Sequence, residues 1–156
     1  MKIAISPGAI IEALREHELA IAGLYEAYAE VFPECEDLWA GLSMEELQHA
    51  KWIDALYANV QNSPQDFVVE RFRIGAIEHS IEYVKQQTAT AYEPDFILIN
   101  ALSTALQLER ALLENKYFEV FEGDSASTRK TLAMLAESTH AHYEKLHTFW
   151  QENGGG

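Results

Sequence analysis

Cysteine is almost missing from this sequence: Cys35 is the only one in 156 residues. An intrachain disulfide framework and a four-cysteine metal site are thereby excluded. Basic side chains are scarce as well. Eleven Lys and Arg stand against 25 Asp and Glu, a formal net charge of −14. That balance argues against nucleic acid and against an anionic membrane surface as partners. No apolar run approaches the roughly 20 residues that span a bilayer. The opening MKIAISPGAI lacks the apolar stretch of a secretory signal, so a cytoplasmic protein is expected. Prolines number four, and no segment sustains the alternation of a strand.

What is abundant is helix-forming chemistry. Long stretches are rich in Ala, Leu, Glu and Gln, and 48% of the residues are hydrophobic, enough for one packed core. Ser6-Pro7 reads as an N-cap followed by proline at the first helical position. The helix it opens carries Ile11, Leu14, Ile21, Ala22, Tyr25, Ala29 and Phe32 at helical spacing and breaks at Pro33. A second helix is expected over about 34–60, with Trp39, Leu42, Ala50, Ile53, Leu56 and Val60 inside, stopped by Asn62-Ser63-Pro64. A shorter helical pattern follows within 66–90. Another helix is expected to start near Pro94 and run to Val120, and the last to be capped at or near Ser127 and end near Asn153. The expectation is an all-α domain over 1–153: a four-helix bundle of two hairpins, joined by one long crossover connection that holds a short helix. Residues 154–156, all glycine, read as a disordered tail.

Glu-x-x-His places a carboxylate and an imidazole one turn apart on a helix face, where both reach one metal ion. The chain has three such pairs: Glu46-His49, Glu137-His140 and Glu144-His147. Residues equidistant from the turn of an antiparallel hairpin lie at one height. Glu18 and Glu46 are centred on Phe32, beside the first break, and Glu109 and Glu137 on Gly123. Both pairs are 28 residues apart. Mirroring Glu144 about Gly123 gives Leu102, which cannot ligate, so that motif drops out. The expected ligands are therefore Glu18, Glu46, His49, Glu109, Glu137 and His140. Carboxylates inside an apolar stripe are costly unless paired or bound to metal. Four carboxylates and two imidazoles are a hard O/N set suited to iron or manganese, with zinc able to substitute in a purified sample.

These features together resemble the ferritin-like di-iron carboxylate superfamily, and within it the rubrerythrin-like proteins. The resemblance rests on Glu18 with Tyr25, on LWAGLSMEELQHA around Glu46 and His49, on ALQLERALLENKYF around Glu109, and on AESTHAHY around Glu137 and His140. It spans about Ile10 to Trp150. It implies an up-down-down-up bundle holding two iron ions. Glu46 and Glu137 would bridge them, Glu18 with His49 and Glu109 with His140 would be terminal ligands, and Tyr25 would hydrogen-bond beside the site. The implied activity is reduction of hydrogen peroxide or oxygen. Ferroxidase or iron-handling chemistry is the alternative, as is a bundle that holds metal without turnover. Two departures stand out. Leu112 occupies the place where rubrerythrins carry an exchanging glutamate, and the four cysteines of a rubredoxin module are missing. Electrons would therefore come from a separate donor protein. The hairpins are also shorter than those of ferritins, which argues against a storage cage.

The remaining polar residues read as background. Glu45 should face away from Glu46 into solvent. His17, His79 and His142 are expected at surface or boundary positions. Glu144 and His147 pair along their helix. Cys35 reads as inert, and Trp39, Trp52 and Trp150 as packing residues. The helix near Ile74–Val84 would cap the bundle or form a homodimer face.

Overall fold

The computed structural model describes residues 6–62, 73–115, 118 and 124–155, and all regular structure among them is helical. Helix α1 spans Pro7–Val31, and the Ser6 side chain accepts the Ala9 N–H at 3.2 Å, as the Ser-Pro signal implied. Phe32 ends it, and one 3-10 turn over Pro33–Cys35 reverses the chain into α2 (Glu36–Asn62). Cys35 thus sits in the turn, half-buried. Next come α3 (Ile74–Thr90), α4 (Leu98–Glu114) and α5 (Ala126–Glu152). The parts of the expected elements at Ser63-Pro64, 66–72, Val120 and Gly123 lie outside the described residues.

Helix α4 begins later than expected. Pro94 falls in a turn, and the Asn100 side chain accepts the Ile97 N–H at 3.0 Å, fixing the helix start at Leu98. Ser125 is the N-cap of helix α5, and its hydroxyl accepts the Thr128 N–H at 3.2 Å. Replacing Ser125 with Ala should cost about 1 kcal/mol, read as a shift of the urea midpoint at constant slope. The other end of α5 closes on glycine. Gly154 has φ +96°, and the N–H groups of Gly155 and Gly154 donate to Trp150 C=O (2.8 Å) and Gln151 C=O (3.4 Å). A frayed tail was expected; these two glycines instead form a left-handed C-terminal cap, because glycine takes positive φ without strain.

Helix α1 packs along α2, α4 along α5, and α2 also meets α5, while α3 lies against α1. The core runs through all five helices: Ile21, Leu24 and Tyr28 from α1; Trp39, Leu42 and Ile53 from α2; Ile77 and Val84 from α3; Ala101 and Ala105 from α4; Leu132 and Leu135 from α5. Burying each Leu or Ile stabilises the fold by about 1.5–3 kcal/mol. No described helix is long and apolar enough to cross a membrane.

Candidate metal centre

Among the described residues, buried carboxylates and imidazoles converge inside this core. Glu18 of α1, Glu46 and His49 of α2, Glu109 of α4 and His142 of α5 are each at most 2% exposed. They form two groups of ligand-type atoms, Glu18–Glu46–His49 and Glu46–Glu109–His142, with the atoms of each group within 4.8 Å of one another. Glu46 belongs to both. His49 Nδ1 lies 3.6 Å from Glu18 Oε2 and 3.4 Å from Glu46 Oε2. His142 Nδ1 lies 3.0 Å from Glu46 Oε1 and 3.4 Å from Glu109 Oε1. The two rings stack at 5.1 Å between centroids, tilted by 15°.

Both imidazoles turn Nδ1 inward and have the other nitrogen held from outside. His49 Nε2 meets Ser138 Oγ at 2.6 Å, and His142 Nε2 meets Glu45 Oε2 at 2.5 Å. Tyr25 donates its hydroxyl to Glu109 Oε1 at 2.8 Å. Several inward atoms make no hydrogen bond: both oxygens of Glu18, Oε2 of Glu46, Oε2 of Glu109 and Nδ1 of His49, of which His49 Nδ1, Glu18 Oε2 and Glu46 Oε2 meet only at the longer ion-pair distances. Buried polar atoms are rarely left so, and the exceptions call for a ligand or a function.

The electrostatics follow from crowding in a dry core. Burial, and then the neighbouring Glu46 charge, push the Glu18 carboxyl up to about 8. Burial alone would lower the two imidazoles. The carboxylates beside them outweigh it, raising His49 to about 10 and His142 to about 11. Burial and Glu109 hold the Tyr25 phenol well above its ordinary range. Tyr25 is therefore a pure donor to Glu109. Tyr25→Phe should destabilise the protein by about 1.5–3 kcal/mol, the range for a hydrogen bond to a charged group, measured by urea unfolding.

The expected ligand set is thus brought together only in part. Glu18, Glu46, His49 and Glu109 converge, with Tyr25 beside them. Glu137 and His140 do not, because both are exposed, and His140 instead lies 3.8 Å from Glu144. The reason is a displaced hairpin centre. The level pairs Glu109–His142, Arg110–Tyr143 and Ser103–Trp150 are centred on Ser125–Ser127, at the start of α5, and not on Gly123. A shift of the centre moves each partner by twice as much, so the position level with Glu109 moves from Glu137 to His142–Glu144, of which His142 is the residue that turns inward. Glu137 lies about 140° round the helix from His142, and His140 about 160°.

His142 was expected near the surface, as was His17. His17 is also buried, with Nε2 2.8 Å from Ser80 Oγ on α3. Glu45 was expected in solvent, and it is half-exposed but bonded to His142. One sequence signal could have found His142. Thr128, Leu132, Leu135, Thr139, His142 and Leu146, all buried, recur at alternating spacings of four and three, a frame that contains neither Glu137 nor His140.

Compared with known proteins, the chain matches no family model, no curated protein and no solved structure.

Proposed function

We propose that this chain is a ferritin-like di-metal protein, and that with two bound iron ions it reduces hydrogen peroxide or oxygen. One observation carries the reading: Glu46 is shared by two buried donor groups, each with inward carboxylate oxygens that make no hydrogen bond. Ionised carboxylates stripped of water are costly by several kcal/mol each, and two divalent cations would remove that cost. Glu18 and His49 would hold one ion, Glu109 and His142 the other, with Glu46 common to both. Three carboxylates and two imidazoles suit iron or manganese. Iron, when bound, supplies the electron transfers that cleavage of an O–O bond requires.

The protein's own part is placement. Tyr25 fixes one Glu109 oxygen, Ser138 and Glu45 fix the imidazoles, and Trp39, Leu42 and Leu135 help keep the interior dry. In this reading α1–α2 and α4–α5 are the two hairpins of an up-down-down-up bundle, with α3 in the crossover. The packing of α2 on α5 and the Tyr25–Glu109 bond between α1 and α4 support it. A separate protein would donate the electrons, and a homodimer through the α3 side is the assembly proposed. Ferroxidase activity in iron handling uses the same site.

A second reading rests on the contacts between each imidazole and its carboxylates. With Glu18 protonated and both imidazoles protonated against Glu46 and Glu109, the cluster neutralises itself. It would then be a buried polar network that needs no metal. Anaerobic loading with Fe(II), metal analysis after gel filtration, and exposure to peroxide and then oxygen separate the cases. Two ions per chain and rapid appearance of diferric absorbance are expected. Two ions without oxidation would leave a metal-holding protein, and background metal would leave the self-neutralised network.

A further inference from the structure

The two donor groups are built alike in first ligands and unlike in what stands behind them. Each has two carboxylates and one imidazole. Behind His49 stands a neutral hydroxyl, Ser138 Oγ, at 2.6 Å, and behind His142 stands a carboxylate, Glu45, at 2.5 Å. Glu109 has one oxygen fixed by Tyr25, whereas neither Glu18 oxygen has a hydrogen-bond partner. Glu45 is about half-exposed, while the five inward residues are essentially sealed.

We infer that the two ion positions are unequal, that the Glu46–Glu109–His142 position fills first, and that Glu45 is the positioning residue responsible. The inference rests on the metal-binding reading above. Three physical effects point the same way. A carboxylate on the outer N–H of a ligand imidazole fixes the ring and raises its donor strength more than a hydroxyl does. The added negative charge of Glu45 draws a cation toward His142 rather than His49. Preorganisation also differs: Glu109 and His142 are both held by short hydrogen bonds before any ion arrives, whereas Glu18 has only the 3.6 Å ion-pair contact with His49. Glu45 also reaches solvent next to this position, so an ion meets it first.

The experiment is calorimetric titration of the metal-free full chain with Mn(II). In parallel, the histidine ring signals are followed by NMR during titration with diamagnetic Zn(II). Two resolved affinities are expected, with the His142 ring signals moving before those of His49. Glu45→Gln should weaken the tighter site by about 10–100-fold, the usual effect of losing such an outer partner, and leave the weaker one within error. Glu45→Asp should restore part of the loss. Ser138→Ala should act on the weaker site alone. Two sites of equal affinity, His49 signals moving first, or an equal effect of Glu45→Gln on both sites would overturn the inference while leaving a two-metal protein. A titration with no binding at all would instead remove the proposed function and this inference with it. Glu45 is half-exposed on a helix surface, and circular dichroism of the Gln variant checks that the fold is kept.

Discussion

Glu46→Ala is expected to take bound divalent metal from two ions per chain to none, while Glu137→Ala and Glu144→Ala leave two. Glu46 is the one residue common to both donor groups, so its loss leaves each with a single carboxylate and a single imidazole. Glu137 and Glu144 are exposed on α5 and face solvent. The same substitution should destabilise the metal-free protein by about 3–5 kcal/mol, because it removes the one carboxylate that faces both buried imidazoles and leaves His49 with Glu18 alone. Metal analysis after equilibrium loading and urea unfolding of the metal-free form measure the two effects. Retention of two ions by the Glu46 variant would sink the shared-ligand arrangement. Loss of stability with no metal bound even by the parent chain would favour the self-neutralised network.

The response to pH should have opposite signs with and without metal. In the metal-free protein His49 and His142 are raised to about 10 and 11. Their contribution to stability is complete below the ordinary imidazole value near 6.5 and is lost as pH rises through about 10–11. Glu18, raised to about 8, acts in the same direction at lower pH. The folded state favours its protonated form, so its contribution is complete below about 4.5 and declines as pH climbs to about 8. Metal-free stability should therefore fall steadily from mildly acidic to alkaline pH.

Metal binding runs the other way, since an ion must displace protons from Glu18, His49 and His142. Each proton released makes the apparent affinity rise about tenfold per pH unit. Thermal melts at pH 6, 7 and 8, with and without Mn(II), should show a stabilisation by metal that grows with pH. A constant or shrinking increment would mean that these three groups are not the ligands.

How far the site was legible depended on the hairpin. In the first, four residues separate α1 from α2, so the break at Phe32-Pro33 nearly coincides with the geometric centre of the pairing. Mirror reasoning then placed Glu18 opposite Glu46 and brought His49 with it. In the second, residues 115–125 separate the helices. There the level pairs are centred on Ser125–Ser127, at the start of α5, and not midway along the connection. The motif reading also counted carboxylates and imidazoles without asking which face of α5 was apolar. The heptad frame of Leu132, Leu135 and Leu146 already excluded Glu137 and His140 and admitted His142. Glu45 was different: the local 100° rule turns it away from Glu46, and it does point outward, yet a side chain of the neighbouring helix comes to meet it.

The sequence alone therefore determined the helical class, the helix N-caps at Ser6 and near Ser127, the inner faces of α1 and α2, and the first half of the site. Periodicity and capping are local properties of the chain, and one tight turn transmits them faithfully into three dimensions. Tertiary structure decided which residue of α5 stands level with Glu109. It also decided that His142 is buried, that Glu137 and His140 are not, and that Glu45 and Ser138 stand behind the two imidazoles. Those facts depend on how far one helix slides and rotates against another across a long connection. Neither quantity is written in any single helix.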